Sequence, residues 1–139
     1  MTMTPADLQR RMRAMVPLVE AWQVAVLEAT EGTARLRLPA RAELLRPGGT
    51  ISGPALMGLA DMAMWAALLT LTDGEDRSVT ADLSIHFLRR LAPGPVVAVA
   101  RLLKPRGRLL YGEVLLYAEG AADPAAHVTS TWMPVVSQV

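Results

Sequence analysis

Residues 47–72 read PGGTISGPALMGLADMAMWAALLTLT: a glycine-rich entry followed by one long apolar run. Ser52 is a good N-cap, and Pro54 falls in the first turn, where a missing N–H costs nothing. The run predicts a helix to about Thr72, closed by Asp73-Gly74. Its apolar residues occupy nearly every side, the mark of a helix surrounded by protein. Asp61 is the only charged residue between Arg46 and Asp73. A carboxylate buried in such a helix is costly unless it is paired, protonated or employed. Asp61 is therefore the first candidate for chemistry. The plainer reading is a structural Asp bonded to backbone or to a neighbouring side chain.

On either side of this helix the pattern changes period. Thr4 can cap a short helix, with Pro5 first and Asp7 in the first turn, and Leu8, Met12 and Met15 recur at near-helical spacing. Pro17 closes it, and residues 18–29, rich in Val, Trp and Leu, read as a strand. Glu31-Gly32 turns the chain into residues 33–38, TARLRL, whose alternation predicts a half-exposed antiparallel partner. After the helix, residues 80–88 alternate strictly. Ala81, Leu83, Ile85 and Phe87 share one face, and Thr80, Asp82, Ser84 and His86 share the other. Residues 96–103, 109–118 and 126–136 complete the strands, with turns at Pro93-Gly94, Pro105-Arg106-Gly107 and Asp123-Pro124. Hairpin strands around one apolar helix imply an α+β domain, a curved antiparallel sheet wrapping that helix. The helix is apolar on so many sides that a second subunit is the natural remaining cover.

The bulk numbers narrow the function classes. A chain of 139 residues suggests one domain, with residues 1–16 as an N-terminal helix and 17–139 as sheet and central helix. Zero cysteines exclude disulfides, thiolate catalysis and thiolate metal sites. A net charge of +1 gives no global field for nucleic acid. Residues 1–15 carry charges where a secretory signal has its apolar core, and residues 55–72 suit a buried helix better than a membrane span, so the expected location is cytoplasmic. His86 and His127 are far apart in sequence with no acidic residue at ligand spacing, so neither a metal nor a cofactor is expected.

The order of elements, together with Gly49-Thr50-Ile51-Ser52-Gly53-Pro54, then Leu59-Ala60-Asp61, then residues 80–88 with Arg89-Arg90 and Pro93-Gly94, resembles the hotdog fold. In particular it resembles the PaaI-like acyl-CoA thioesterases, over about residues 16–136. Many members have Asn-x-x-Gly-x-x-His-Gly-Gly before the helix and an acidic residue nine positions after the His. That frame fits here without gaps and places Asp61 on the acidic position. Three residues depart from it: Ser52 stands in place of the His, Pro54 of the second Gly, and Arg46 of the Asn.

The resemblance implies hydrolysis of small or medium acyl-CoA, or aryl-CoA, thioesters by a homodimer or homotetramer, with Asp61 as general base or nucleophile. The alternative is a non-catalytic acyl-CoA-binding hotdog protein. A hotdog dehydratase needs a catalytic His near this helix, and neither His86 nor His127 is placed for it. Gly53, at the helix N-terminus, has an amide that suits a thioester oxygen, or it serves close packing in a capped helix. The family often has a Ser or Thr at the Thr80 position to orient the carboxylate or water; otherwise Thr80 is an ordinary strand residue. Ser52 is an N-cap or a donor to substrate. Arg46 contacts substrate or only sits on the loop. Arg89 and Arg90, with Arg106 and Arg108, suit coenzyme A phosphates or are solvated strand ends. Gly53 and Asp61 are eight residues apart on one helix, about 12 Å along its axis. They cannot both touch one carbonyl from the same chain.

Overall fold

The structure is a computed structural model and describes residues 3–135. Helix α1 spans Pro5–Met15, and Thr4 caps it through a capping box with Asp7. Pro17 closes α1 and also opens a second helix, α2, Pro17–Ala21, so the strand expected over residues 18–29 starts only at Ala25. Proline is pre-set for the first helical position, and α2 uses Val19 to reach the core. Strand β1, Ala25–Thr30, carries a register shift between Val26 and Glu28, and the expected alternation lies in β2, Thr33–Leu38.

A loop with one 3-10 turn, Ala42–Leu44, leads to the central helix α3, Gly53–Leu69. Leu45 bridges Ile51 across a tight hairpin whose Gly48 and Gly49 take φ of 97° and 84°, and Ser52 N–H donates to Leu44 O at 2.9 Å. These bonds fix where α3 begins. It ends three residues before the expected Thr72, because the chain turns back at Gly74, whose N–H donates to Leu69 O at 2.9 Å.

Four strands follow: β3 Ser78–Phe87, β4 Val96–Lys104, β5 Leu110–Ala118 and β6 Ala126–Pro134. The last was expected to reach Val136, which lies outside the described residues. All pairings are antiparallel, and the spatial order is β1-β2-β4-β5-β6-β3.

The sheet curls around α3, which lies against β2, β4 and β5 and only grazes β3. Gly112 on β5 makes the close approach possible. A Cβ there would come within 2.7 Å of both Arg101 O and Met64 Cε. Twelve of the helix's seventeen residues are buried, and the part left uncovered is a strip: Gly53, Pro54, Met57, Gly58 and Asp61. Trp22 lies over Gly58, where a Cβ would meet its ring at 2.9 Å. The chain thus covers more of its own helix than the all-round apolar pattern suggested. What remains for a partner is narrow.

The two sheet edges differ. Along β1, α1 closes the edge: Val26 N–H donates to Gln9 Oε1 at 2.9 Å, and Val24 O accepts from the Arg13 guanidinium at 3.0 and 3.1 Å. Strand β3 has β6 on one side and, among the described residues, no further strand on the other. Its inner face also shows, with Leu83 and Ile85 half-buried and Phe87 54% exposed.

Candidate active site

Asp61 sits midway along α3 and is half-buried. Its Oδ1 accepts a hydrogen bond from Thr80 Oγ1 at 2.8 Å. Removal from water pushes the Asp61 carboxyl above its usual range, and the Thr80 hydroxyl partly opposes the rise by bonding the charged form. No second donor among the described residues reaches the carboxylate, which leaves Oδ2 for a ligand or water.

The strict alternation over residues 80–88 puts Thr80 on the outer face with Asp82, Ser84 and His86. The structure overturns that assignment. The β3–β6 register shifts between Thr80 and Asp82, leaving Ala81 as an extra residue. Thr80 pairs with Trp132, which is buried on the inner face, whereas Asp82 pairs with Thr131. The bulge turns Thr80 inward, against Asp61. Such bulges re-aim single side chains and cluster near active sites.

Gly53 is the first residue of α3, and its N–H has no acceptor among the described residues. The tip of the Phe87 ring occupies the space a side chain would need: a Cβ on Gly53 would lie 3.3 Å from it. Phe87, which the sequence offered only as a strand-face residue, thus packs against the Gly53 α-carbon at the start of α3. Ser52 is the N-cap, accepting from Ala55 N–H at 3.3 Å. As an acceptor there, its hydroxyl keeps its own proton free to donate.

The remaining candidates separate. Arg46 is exposed on the loop hairpin, where its backbone bonds Thr50 and Gly49. Arg89 donates to Pro124 O at 2.5 Å and staples the end of β3, while Arg90 is exposed. Arg106 and Arg108 belong to the β4–β5 hairpin, beside the start of β3, so the four arginines do not form one patch. His86 and His127 meet as cross-strand partners, and His127 Nε2 lies 3.0 Å from Glu113 Oε1. The bulge beside Asp61 is a tertiary fact with no local sequence signal, whereas the burial of Asp61 follows from the apolar run around it and the Gly53 amide from the Ser52 cap.

Comparison with known proteins agrees with this architecture. The model of the thioesterase superfamily matches residues 48–125. The chain belongs to that superfamily, and its six-stranded antiparallel sheet around a long helix is the hotdog fold. A candidate esterase of Saccharolobus solfataricus is 30% identical over 91 residues, which is 66% of this chain and 64% of that protein's length. A second from the same organism is 30% identical over 103 residues, covering 74% of this chain and 67% of the relative. A candidate thioesterase structure from Silicibacter sp. TM1040 superposes with a TM-score of 0.86 at 30% identity, covering 96% of this chain and 92% of that one. A variant of the phenylacetic acid degradation protein PaaI from Thermus thermophilus superposes at 0.73 with 26% identity, covering 87% of this chain and 100% of that one.

Proposed function

We propose that the protein hydrolyses small or medium acyl-CoA, or aryl-CoA, thioesters, with Asp61 as the reacting carboxylate. The observation that carries this reading is a carboxylate with one oxygen held by Thr80 and the other free, on the one strip of α3 that the chain leaves uncovered. As general base, Asp61 takes a proton from water as the water oxygen bonds to the thioester carbonyl carbon. The carbonyl oxygen gains negative charge, which the Gly53 N–H stabilises, aided by the helix dipole and by the Ser52 hydroxyl. Collapse re-forms the carbonyl and breaks the C–S bond. The thiolate leaves and takes up a proton, giving a free acid and CoA. As nucleophile, Asp61 bonds the carbonyl carbon directly, the C–S bond breaks and the CoA thiolate leaves and takes up a proton, and water then hydrolyses the resulting anhydride to the free acid and the Asp61 carboxylate.

Asp61 and Gly53 lie about 12 Å apart on one helix, so one site draws them from two subunits. The open edge of β3 supplies the place for pairing. Thr80, beside Asp61, lies in its first half and Phe87, beside Gly53, at its end. Antiparallel pairing of two copies of β3 brings the Gly53 end of one toward the Asp61 end of the other. The assembly we propose is accordingly at least a dimer.

A non-catalytic acyl-CoA binder is the second reading, favoured by Ser52, Pro54 and Arg46 at the three positions that depart from the family's motif. Release of free thiol from a panel of acyl-CoAs decides. Turnover of any member supports hydrolysis and names the acyl class. Saturable binding of the panel without thiol release supports the binder.

A further inference from the structure

The uncovered strip of α3 has an aromatic ring on each side of it. The tip of Phe87 meets Gly53, and the indole edge of Trp22 meets Gly58, where a Cβ would lie 2.9 Å from the ring. The two glycines are five residues apart, so their Cβ directions diverge by about 140° around the helix axis. Met57, Asp61 and Pro54 point into the sector between them, at about 40°, 80° and 100° from Gly53. The strip that carries Asp61 is therefore walled by Phe87 on one side and Trp22 on the other. Residues 62–69 are all buried, so the strip is closed beyond Asp61 and runs only toward the start of α3. Met57, Gly58 and Pro54, which form its floor, offer no polar side chain. Such a floor suits the acyl group of a thioester, not the amides and phosphates of its CoA.

Trp22 is fixed where it stands. It ends α2, and Gln23 beside it takes a left-handed φ of 54°, a backbone that residues other than glycine rarely adopt. Gln23 is held there by its N–H, which donates to Glu20 O at 3.0 Å, and by its side-chain amide, which donates to Glu20 O and Oε2 at 2.7 and 2.8 Å. Trp22 itself is half-buried and packs against the core.

Asp61 follows Gly58 by three residues, about 4.5 Å along the axis. Three bonds of extended chain span about 3.8 Å, so an acyl chain that starts at Asp61 draws level with the indole at about its fourth carbon. We propose that Trp22 sets the upper size of the acyl group. Chains of about four carbons fit in front of the ring, and longer ones meet it. This names the substrate class as short acyl thioesters, and it rests on the acyl-CoA reading above.

The test measures kcat/KM for butyryl-CoA and octanoyl-CoA with the parent, Trp22→Ala and Trp22→Phe. The parent is expected to favour butyryl-CoA by about tenfold or more. Trp22→Ala is expected to move the octanoyl-to-butyryl ratio about tenfold or more toward octanoyl-CoA. Trp22→Phe, which trims the far edge of the ring, should fall between, and it decides alone if Trp22→Ala does not fold. The same ratio in all folded proteins overturns the proposal while leaving hydrolysis intact, and so does a parent that takes octanoyl-CoA as well as butyryl-CoA. Where neither thioester is hydrolysed, calorimetric titration of the same two acyl-CoAs reads the ratio as Kd. A shift toward octanoyl-CoA in the variants then supports the size limit in a binder, and unchanged ratios or no binding overturn it.

Discussion

At the scale of the residue, Asp61 is a cost the fold carries. Its unfolded carboxyl has the ordinary value near 3.8, and burial raises the folded one. Between the two values the folded chain holds a proton that the unfolded chain has released. Stability therefore falls as pH rises through that window, and the penalty is complete above it. Asp61→Asn removes the charge and keeps an oxygen for Thr80. It is expected to raise Tm at neutral pH, with the gain vanishing below about pH 3.8, and to lower hydrolysis at least a hundredfold. A variant that hydrolyses as fast as the parent would make Asp61 structural. The base works only when ionised, so the rate should rise with pH through the raised pKa and then level off. Thr80→Val removes the bond that favours the charged form. Its acid limb should move to higher pH, while Thr80→Ser keeps the parental profile. pH–rate curves for the three proteins check this. An unshifted Thr80→Val limb would show that the hydroxyl does not tune the carboxylate.

At the scale of the element, the central helix, its cap and its acidic position were legible because composition, capping and spacing all lie within residues 47–72. The α2 segment was not, because Leu18 and Val19, which suit a strand, serve a five-residue helix opened by Pro17, with Trp22 just past its end. Nor was the orientation of Thr80. Period-two alternation is a local signal, and the Ala81 bulge breaks it through pairing with β6, a strand that lies some fifty residues further along the chain. Gly112 escaped notice for the same reason, since its neighbours come from α3 and β4. Gly112→Ala would push a methyl onto the Met64 thioether and onto the Arg101 main-chain carbonyl, which cannot yield without moving β4. It is expected to cost about 2 kcal/mol or more, read as a lower midpoint in urea unfolding. A midpoint equal to the parent's would mean that α3 does not sit as tightly on β5 as the geometry implies.

At the scale of the whole molecule, the sequence suggested a partner from the apolar circumference of α3, and that motive has shrunk. The chain itself covers most of the helix, and the case for a pair now rests on the spacing of Gly53 and Asp61, the open β3 edge and the exposed Phe87. Light scattering at micromolar concentration is expected to show at least a dimer, and an active monomer would contradict a shared site. Subunit exchange tests the sharing directly. Asp61→Asn chains mixed with Gly53→Leu chains should recover activity, because one of the two sites in each mixed pair is then intact. Proven mixed pairs of folded chains that stay inactive would separate the two positions. The guarded β1 edge has its own consequence. Two molecules that join through their free edges consume both, so growth stops at that junction. Gln9 and Arg13 act as stoppers against endless strand-by-strand extension, since an unguarded second border would turn each pair into a seed. Replacing both with alanine is expected to yield species that lengthen with concentration, visible as rising scattering and thioflavin fluorescence.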